Sequence, residues 1–257
     1  IDKIISSSHL PADKNDSSTD VTAQLQGQTD KPTKTERHDS SSTRRSFTTR
    51  AYCLQVARLG VQVAEGLQHA HERGILHRDI KPGNLMLDAS EKIWITDFGL
   101  AKMDDVRGVT VSGDVLGTLR YLPPEKATSD STVVDQRADV YSLGVTLYEV
   151  LTLRPAFEGD DSPTLLKRIA TEEPMAPQRI NRSIPDELQT IVLKAMAKEP
   201  SQRYATAQAV ADDLNAFLSD RPIKARRPNL LQRTARWSRH HVPMVITAGI
   251  VFILFTV

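Results

Sequence analysis

Residues 77–84 read His77-Arg78-Asp79-Ile80-Lys81-Pro82-Gly83-Asn84, and a second polar turn, Asp97-Phe98-Gly99, follows after a short apolar stretch. Within that stretch Asn84-Leu85-Met86-Leu87 and Ile93-Trp94-Ile95-Thr96 read as two short strands around a polar turn, Asp88 to Lys92. A hairpin brings its two ends together, so Asn84 and Asp97 are expected side by side, with Asp79 and Lys81 in the loop that leads into the first strand. Any fold for this chain must therefore hold a charged, extended loop against a small two-stranded floor.

The residue types in that loop suit phosphoryl transfer from Mg·ATP to a hydroxyl, in which a protein contributes positioning and charge neutralisation more than covalent chemistry. Asp79 would accept or orient the proton of the attacking hydroxyl. Lys81, two residues along, would reach the γ-phosphate. Asn84 and Asp97 would give oxygens to Mg²⁺, a hard cation that completes its octahedron with water and phosphate. His77 would pack against the Asp97-Phe98-Gly99 turn, and Arg78 would pair with a phosphate. Alone, Asp79 would be an ordinary turn residue; the surrounding motif is what raises it to a catalytic candidate.

Helices dominate the remainder. From Thr49 to Arg73, Leu54, Ala57, Val61, Ala64, Leu67 and His71 form a helical stripe closed by Gly74, where a left-handed C-cap is expected. Val140 to Leu151 is apolar on most faces and reads as a buried helix. Leu165 to Ala170, Ile184 to Ala197 and Ala207 to Leu218 read as amphipathic helices, punctuated by Pro155, Pro163, Pro174, Pro177 and Pro185. The expected class is mainly α with one short β-hairpin.

In this order and spacing, residues 51–222 resemble the C-terminal lobe of eukaryotic-type Ser/Thr protein kinases, especially membrane-anchored bacterial members. Further segments carry the resemblance. Gly117-Thr118 with Pro123-Pro124-Glu125 is similar to the end of an activation segment, although Pro123 stands where the family usually has Ala or Ser. Asp139-Val140-Tyr141-Ser142-Leu143-Gly144-Val145 resembles the start of the central buried helix, whose Asp holds the catalytic-loop backbone. Pro200-Ser201-Gln202-Arg203 resembles the late segment whose Arg pairs with the segment-ending Glu, here Glu125. The resemblance implies ATP and Mg²⁺ as cofactors, protein substrates, a hydrogen bond from Thr118 to Asp79 and Lys81, and phosphorylation at Thr110 and Ser112. Lys81 favours Ser/Thr over Tyr, and dimerisation would serve trans-autophosphorylation.

The family's N-terminal lobe carries a Gly-rich loop, a strand Lys and a helix Glu. No G-x-G-x-x-G occurs in the sequence, and the stretch before Ala51 is too short and too polar for a five-stranded lobe. The chain opens on Ile1, so the expectation is a fragment of a longer product that binds ATP poorly by itself. Residues 1–50 are rich in Ser, Thr, Asp and Lys and are expected to be disordered. They are either an insertion after the hinge, with Ile1-Asp2-Lys3-Ile4-Ile5 a helix remnant, or a plain leader.

After Pro222 the composition changes. Residues 223–241 form a basic collar with Lys224, Arg226, Arg227, Arg233, Arg236 and Arg239, and no acidic residue occurs from Ile223 to Val257. Residues 242–257 then run apolar for 16 positions, short of the ~20 needed to span a bilayer. A cationic collar before such a run suits a single-pass helix entering from the cytoplasm, cut within its span. A buried core helix or a monotopic anchor is the alternative. The net charge of +1 makes no case for nucleic acid, and a collar with one aromatic, Trp237, is better explained by the adjoining apolar run. A single cysteine, Cys53, excludes an internal disulfide and suits a reducing compartment. His69 and His71 lack the partners of a metal site and read as helix-end residues. The function expected is a membrane-anchored protein Ser/Thr kinase in signal transduction. The competing readings are a truncated product or a non-catalytic scaffold unable to bind ATP, against which the intact Asp79, Lys81, Asn84 and Asp97 argue.

Overall fold

The computed structural model describes residues 40–98, 117–127 and 134–226, the first ten as backbone only. They are mainly helical with one two-stranded sheet. The first helix, α1 (Ser40–His71), starts well before Thr49 and so differs over residues 40–50 from the disorder expected there. Polar composition argues against a helix forming alone, but extending one already packed skips the costly nucleation step. Buried Val56, Ala57, Val63, Ala64 and Leu67 supply that packing. At its far end Gly74 takes φ 73°, the Gly74 amide bonds to the His71 carbonyl at 2.9 Å and the Ile75 amide to that of Ala70 at 3.0 Å. This left-handed closure turns the chain out of the helix and into the polar loop.

A single 3-10 turn over Pro82–Asn84 leads into β1 (Leu85–Leu87), which pairs antiparallel with β2 (Ile93–Ile95) in the register Leu85 to Ile95 and Leu87 to Ile93. The turn between them is built on the Asp88 carboxylate, which accepts from the Ser90 hydroxyl (2.6 Å), the Trp94 indole (2.9 Å) and the Lys92 amide (3.0 Å). Those donors hold its carboxyl far below the usual carboxylate range.

Helix α2 (Pro124–Ala127) is a single turn started by Pro124. Helix α3 (Arg137–Thr152) is the centre of the molecule, buried along nearly its whole length. Its polar side chains are bonded inside the fold: the Thr146 hydroxyl donates to the Ser142 carbonyl at 2.8 Å, and Tyr148 donates to the Met175 carbonyl at 2.9 Å. Around it stand α4 (Ser162–Thr171), α5 (Pro177–Ile180), α6 (Asp186–Ala195) and α7 (Ala207–Leu218). Asp161 caps α4 through the Thr164 amide at 2.7 Å, and Thr206 caps α7 through the Ala209 amide at 3.1 Å. Helix α1 packs chiefly on α7 and α3, and α3 on α6.

Helices α3 and α6 approach closely at Gly144, where an added Cβ would meet Ala195 Cβ at 2.8 Å and the Ala195 carbonyl carbon at 3.2 Å. Helix propensity favours Ala over Gly by about 1 kcal/mol, whereas overpacking a core costs about 1–3 kcal/mol. Because the neighbouring atoms belong to a rigid helix, we expect the second effect to win. Gly144→Ala should lower the urea midpoint of the chain, and an unchanged or raised midpoint would show that the helices can separate at little cost.

Candidate active site

The polar loop is held from beneath by Asp139, in the first turn of α3 and 1% exposed. Its Oδ1 accepts from the Arg78 amide at 2.7 Å, and its Oδ2 from the His77 amide and from His71 Nε2, both at 2.8 Å. A helix N-terminus favours the negative charge, and three donors satisfy it. Arg78 takes φ 70°, a conformation costly for a residue with a side chain unless its surroundings enforce it. Asp139 supplies that enforcement. His71 therefore has a structural function that its position at a helix end does not announce.

Above this anchor the charged side chains converge. Asp79 Oδ2 accepts from Lys81 Nζ at 2.8 Å and from Asn84 Nδ2 at 3.0 Å, and Lys81 Nζ also donates to Thr118 Oγ1 at 3.1 Å. Asn84 Nδ2 further donates to the Asp79 carbonyl at 2.8 Å. Among the described residues nothing donates to Asp79 Oδ1. The carboxylate is thus fixed by one oxygen and presents the other.

The sheet sets the remaining positions. Thr96 donates its amide to the Asn84 carbonyl at 3.0 Å, so Asn84 and Asp97 lie at the same end of the hairpin. Asp97 is exposed and at φ 62°, and among the described residues its carboxylate receives a long contact from the Thr96 hydroxyl at 3.4 Å. His77 Nε2 donates to the Thr96 carbonyl at 2.8 Å, its Nδ1 accepts from the Asp79 amide at 3.3 Å, and its ring lies 4.6 Å from that of Phe98. One imidazole therefore ties the loop to the turn after β2. Among the described residues no group of three or more His, Cys, Asp or Glu could hold a metal ion. The donors on offer are the Asn84 amide oxygen and the Asp97 carboxylate, a sparse oxygen set that fits Mg²⁺ with its retained waters better than a caged transition metal.

Two further pairs fix the segment from residue 117 to 127. Arg203, 4% exposed, forks onto Glu125 with Nη1 to Oε1 at 2.9 Å and Nη2 to Oε2 at 2.6 Å. Its other donors reach the carbonyls of Ala197 (2.7 Å), Arg137 (3.0 Å) and Lys198 (2.9 Å), so all five are used. Tyr121 donates to Glu149 on α3 at 2.6 Å, and Ser142 donates to the Tyr121 carbonyl at 2.9 Å. Burial, then that contact with Glu149, pushes the Tyr121 phenol far up. Burial and the nearby Arg78 pull the Lys126 ammonium down. The Tyr121–Glu149 pair was not visible in the sequence, where the two lie 28 positions apart without a motif to join them. Gly99, Thr110 and Ser112 lie outside the described residues.

The profile described as the protein kinase domain matches residues 29–214. The chain belongs to the protein kinase family. It is 40% identical over 172 residues to the serine/threonine-protein kinase PknB of Mycobacterium leprae, a match covering 66% of this chain and 27% of that one. PknB of Mycobacterium tuberculosis is 40% identical over 176 residues, 68% of this chain and 28% of its own. A probable serine/threonine-protein kinase of Clostridium perfringens is 38% identical over 162 residues, 63% and 23%. The chain thus spans about a quarter of the length of the curated relatives it matches. Protein kinases generally use ATP and Mg²⁺. Among the described residues no helix is long and apolar enough to cross a membrane, and residues 242–257 lie outside them.

Among the described residues, Arg203 is a charged group with every donor used. Replacing it by Lys leaves three donors for five acceptors, with buried carbonyls unpaired at about 1–3 kcal/mol each. Arg203→Lys should cost the chain about 3 kcal/mol in chemical denaturation. A change below about 0.5 kcal/mol would mean that the fork contributes no more than a surface pair does.

Proposed function

We propose that this chain is the C-terminal lobe of a longer, membrane-anchored protein serine/threonine kinase that moves the γ-phosphoryl group of ATP to a Ser or Thr hydroxyl of a protein. The observation that carries the reading is the state of Asp79, one oxygen pinned by Lys81 and Asn84 and the other with nothing donating to it among the described residues. Oδ1 of Asp79 receives the hydroxyl proton as the substrate oxygen bonds to phosphorus and the bridging oxygen departs with ADP. Lys81, steadied by Thr118, offsets charge on the transferred group. Asn84 and Asp97 would hold Mg²⁺, whose chemistry when bound would be to offset charge on the phosphates. Met86 and Trp94 are paired across the hairpin and are 60% and 53% exposed, which suits a floor beneath a nucleotide.

The names of the relatives support Ser/Thr specificity. The collar at 223–241 and the apolar run at 242–257 support an anchor with the lobe on the cytoplasmic face, and residues 1–50 a polar insertion or leader. The parts that grip ATP from above belong, in this reading, to the rest of the longer protein.

The test uses the full-length product recovered from membranes. Asp79→Asn should lower phosphate transfer to a protein substrate by about 10²–10⁴-fold while leaving the unfolding midpoint unchanged. Wild-type turnover in that variant would remove Asp79 from the mechanism, and recovery of the wild type from the soluble fraction would remove the anchor.

A further inference from the structure

The Asp213 carboxylate stands midway along α7 and is 1% exposed. A buried negative charge is costly unless it is paired or hydrogen-bonded, and among the described residues Asp213 enters no ion pair. Three neutral donors satisfy it instead. Oδ1 accepts from the Lys224 amide at 2.7 Å, and Oδ2 from the Ala225 amide at 2.8 Å and the Tyr204 hydroxyl at 2.9 Å. Asp139 is met by two backbone amides and one side chain in the same way, and there the pattern sets the path of the polar loop.

The two amides come from chain that has already left the helix. At the end of α7, Asp220 takes φ 50° and the Arg221 amide bonds to the Ala216 carbonyl at 2.8 Å, which reverses the path. Lys224 and Ala225 are thereby carried back to Asp213, with Ala225 6% exposed and Ile223 packed against the core. This returning strap lies beyond residue 214, where the match to the kinase domain ends.

Tyr204 joins the strap to the site. It is 3% exposed and has Lys194 Nζ 4.2 Å from the centre of its ring. Burial, then Asp213, pushes its phenol far up, so the hydroxyl stays a donor. The residue before it is Arg203, which forks onto Glu125 at 2.9 and 2.6 Å and holds the Arg137 carbonyl at the start of α3 at 3.0 Å. With the strap amides withdrawn, Asp213 would keep one partner among the described residues, the Tyr204 hydroxyl. The turn that carries Tyr204 and Arg203 would then have to shift or admit water to solvate the charge.

We propose that residues 223–226 form a strap whose seat on Asp213 is linked through Tyr204 to the Arg203 fork, so that drawing the strap away loosens the Glu125 end of the segment from 117 to 127. The basic collar continues directly from the strap, so a pull on the chain beyond residue 226 reaches the lobe first at this seat. The proposal goes beyond the phosphotransfer reading and does not require it.

The test is native-state hydrogen exchange of the full-length protein, read by mass spectrometry on peptides spanning 200–204, 122–127 and 141–151. Ala225→Pro removes one strap donor without touching Asp213 or Tyr204. It should speed exchange in 200–204 and 122–127 by about tenfold, as loss of a hydrogen bond to a charged group gives, and leave 141–151 in α3 protected, which also reports that the variant folds. Lys224→Ala keeps both amides and should exchange as the wild type does. Tyr204→Phe breaks the link from the other side, so adding Ala225→Pro to it should produce much less than the product of the two single effects. Unchanged exchange in 200–204 on Ala225→Pro would overturn the proposal. So would an equal rise in 141–151, because the strap would then support the whole lobe without a specific link to Arg203, and so would two effects that simply multiply.

Discussion

One buried carboxylate underlies the whole arrangement. Asp139 accepts the backbone amides of His77 and Arg78 and the imidazole of His71, and it does so from the first turn of a helix buried along nearly its whole length. Backbone amides are obligatory donors, and two consecutive ones pointing inward at one anion set the path of the chain between them. The left-handed conformation of Arg78 follows from that requirement. So does the position of Asp79, the next residue. Precision at the candidate proton acceptor is thus borrowed from the buried helix beneath the loop that carries it.

Helix α3 extends the same principle along its length. Ser142, one turn beyond Asp139, holds the Tyr121 carbonyl, and Glu149, near the far end, holds the Tyr121 hydroxyl. The segment after Thr118 is therefore registered against the same helix as the loop containing Asp79, and Arg203 locks its continuation through Glu125. A single element fixes both walls of the region where a hydroxyl and a phosphate would meet. Distances among Asp79, Lys81, Asn84 and Thr118 of 2.8–3.1 Å are what such shared registration produces, and preorganisation of this kind is the main means by which a protein accelerates transfer of a phosphoryl group.

Much of this was legible in the residues. The hairpin was readable because two short apolar runs flank a polar turn, and α7 because its apolar residues recur at helical spacing. Local rules govern both. The start of α1 was not readable, since residues 40–50 have the composition of a chain that does not fold alone and are helical as an extension of a packed helix. His71 reads as a plain helix end in the sequence because its partner, Asp139, stands 68 positions away. The Tyr121–Glu149 pair and the three carbonyls around Arg203 escaped for the same reason: they are long-range contacts between residue types common anywhere. The Glu125–Arg203 pair and the role of Asp139 were expected through resemblance to a family, which carries non-local information that periodicity lacks.

The central claim, that the loop before Asp79 is held as firmly as the core through Asp139, is open to native-state hydrogen exchange at single amides. The amides of His77 and Arg78 should exchange only by openings nearly as rare as those that expose Leu143 and Val145 in the middle of α3. Exchange of these two amides at the rate of an unstructured peptide, with α3 still protected, would contradict the account.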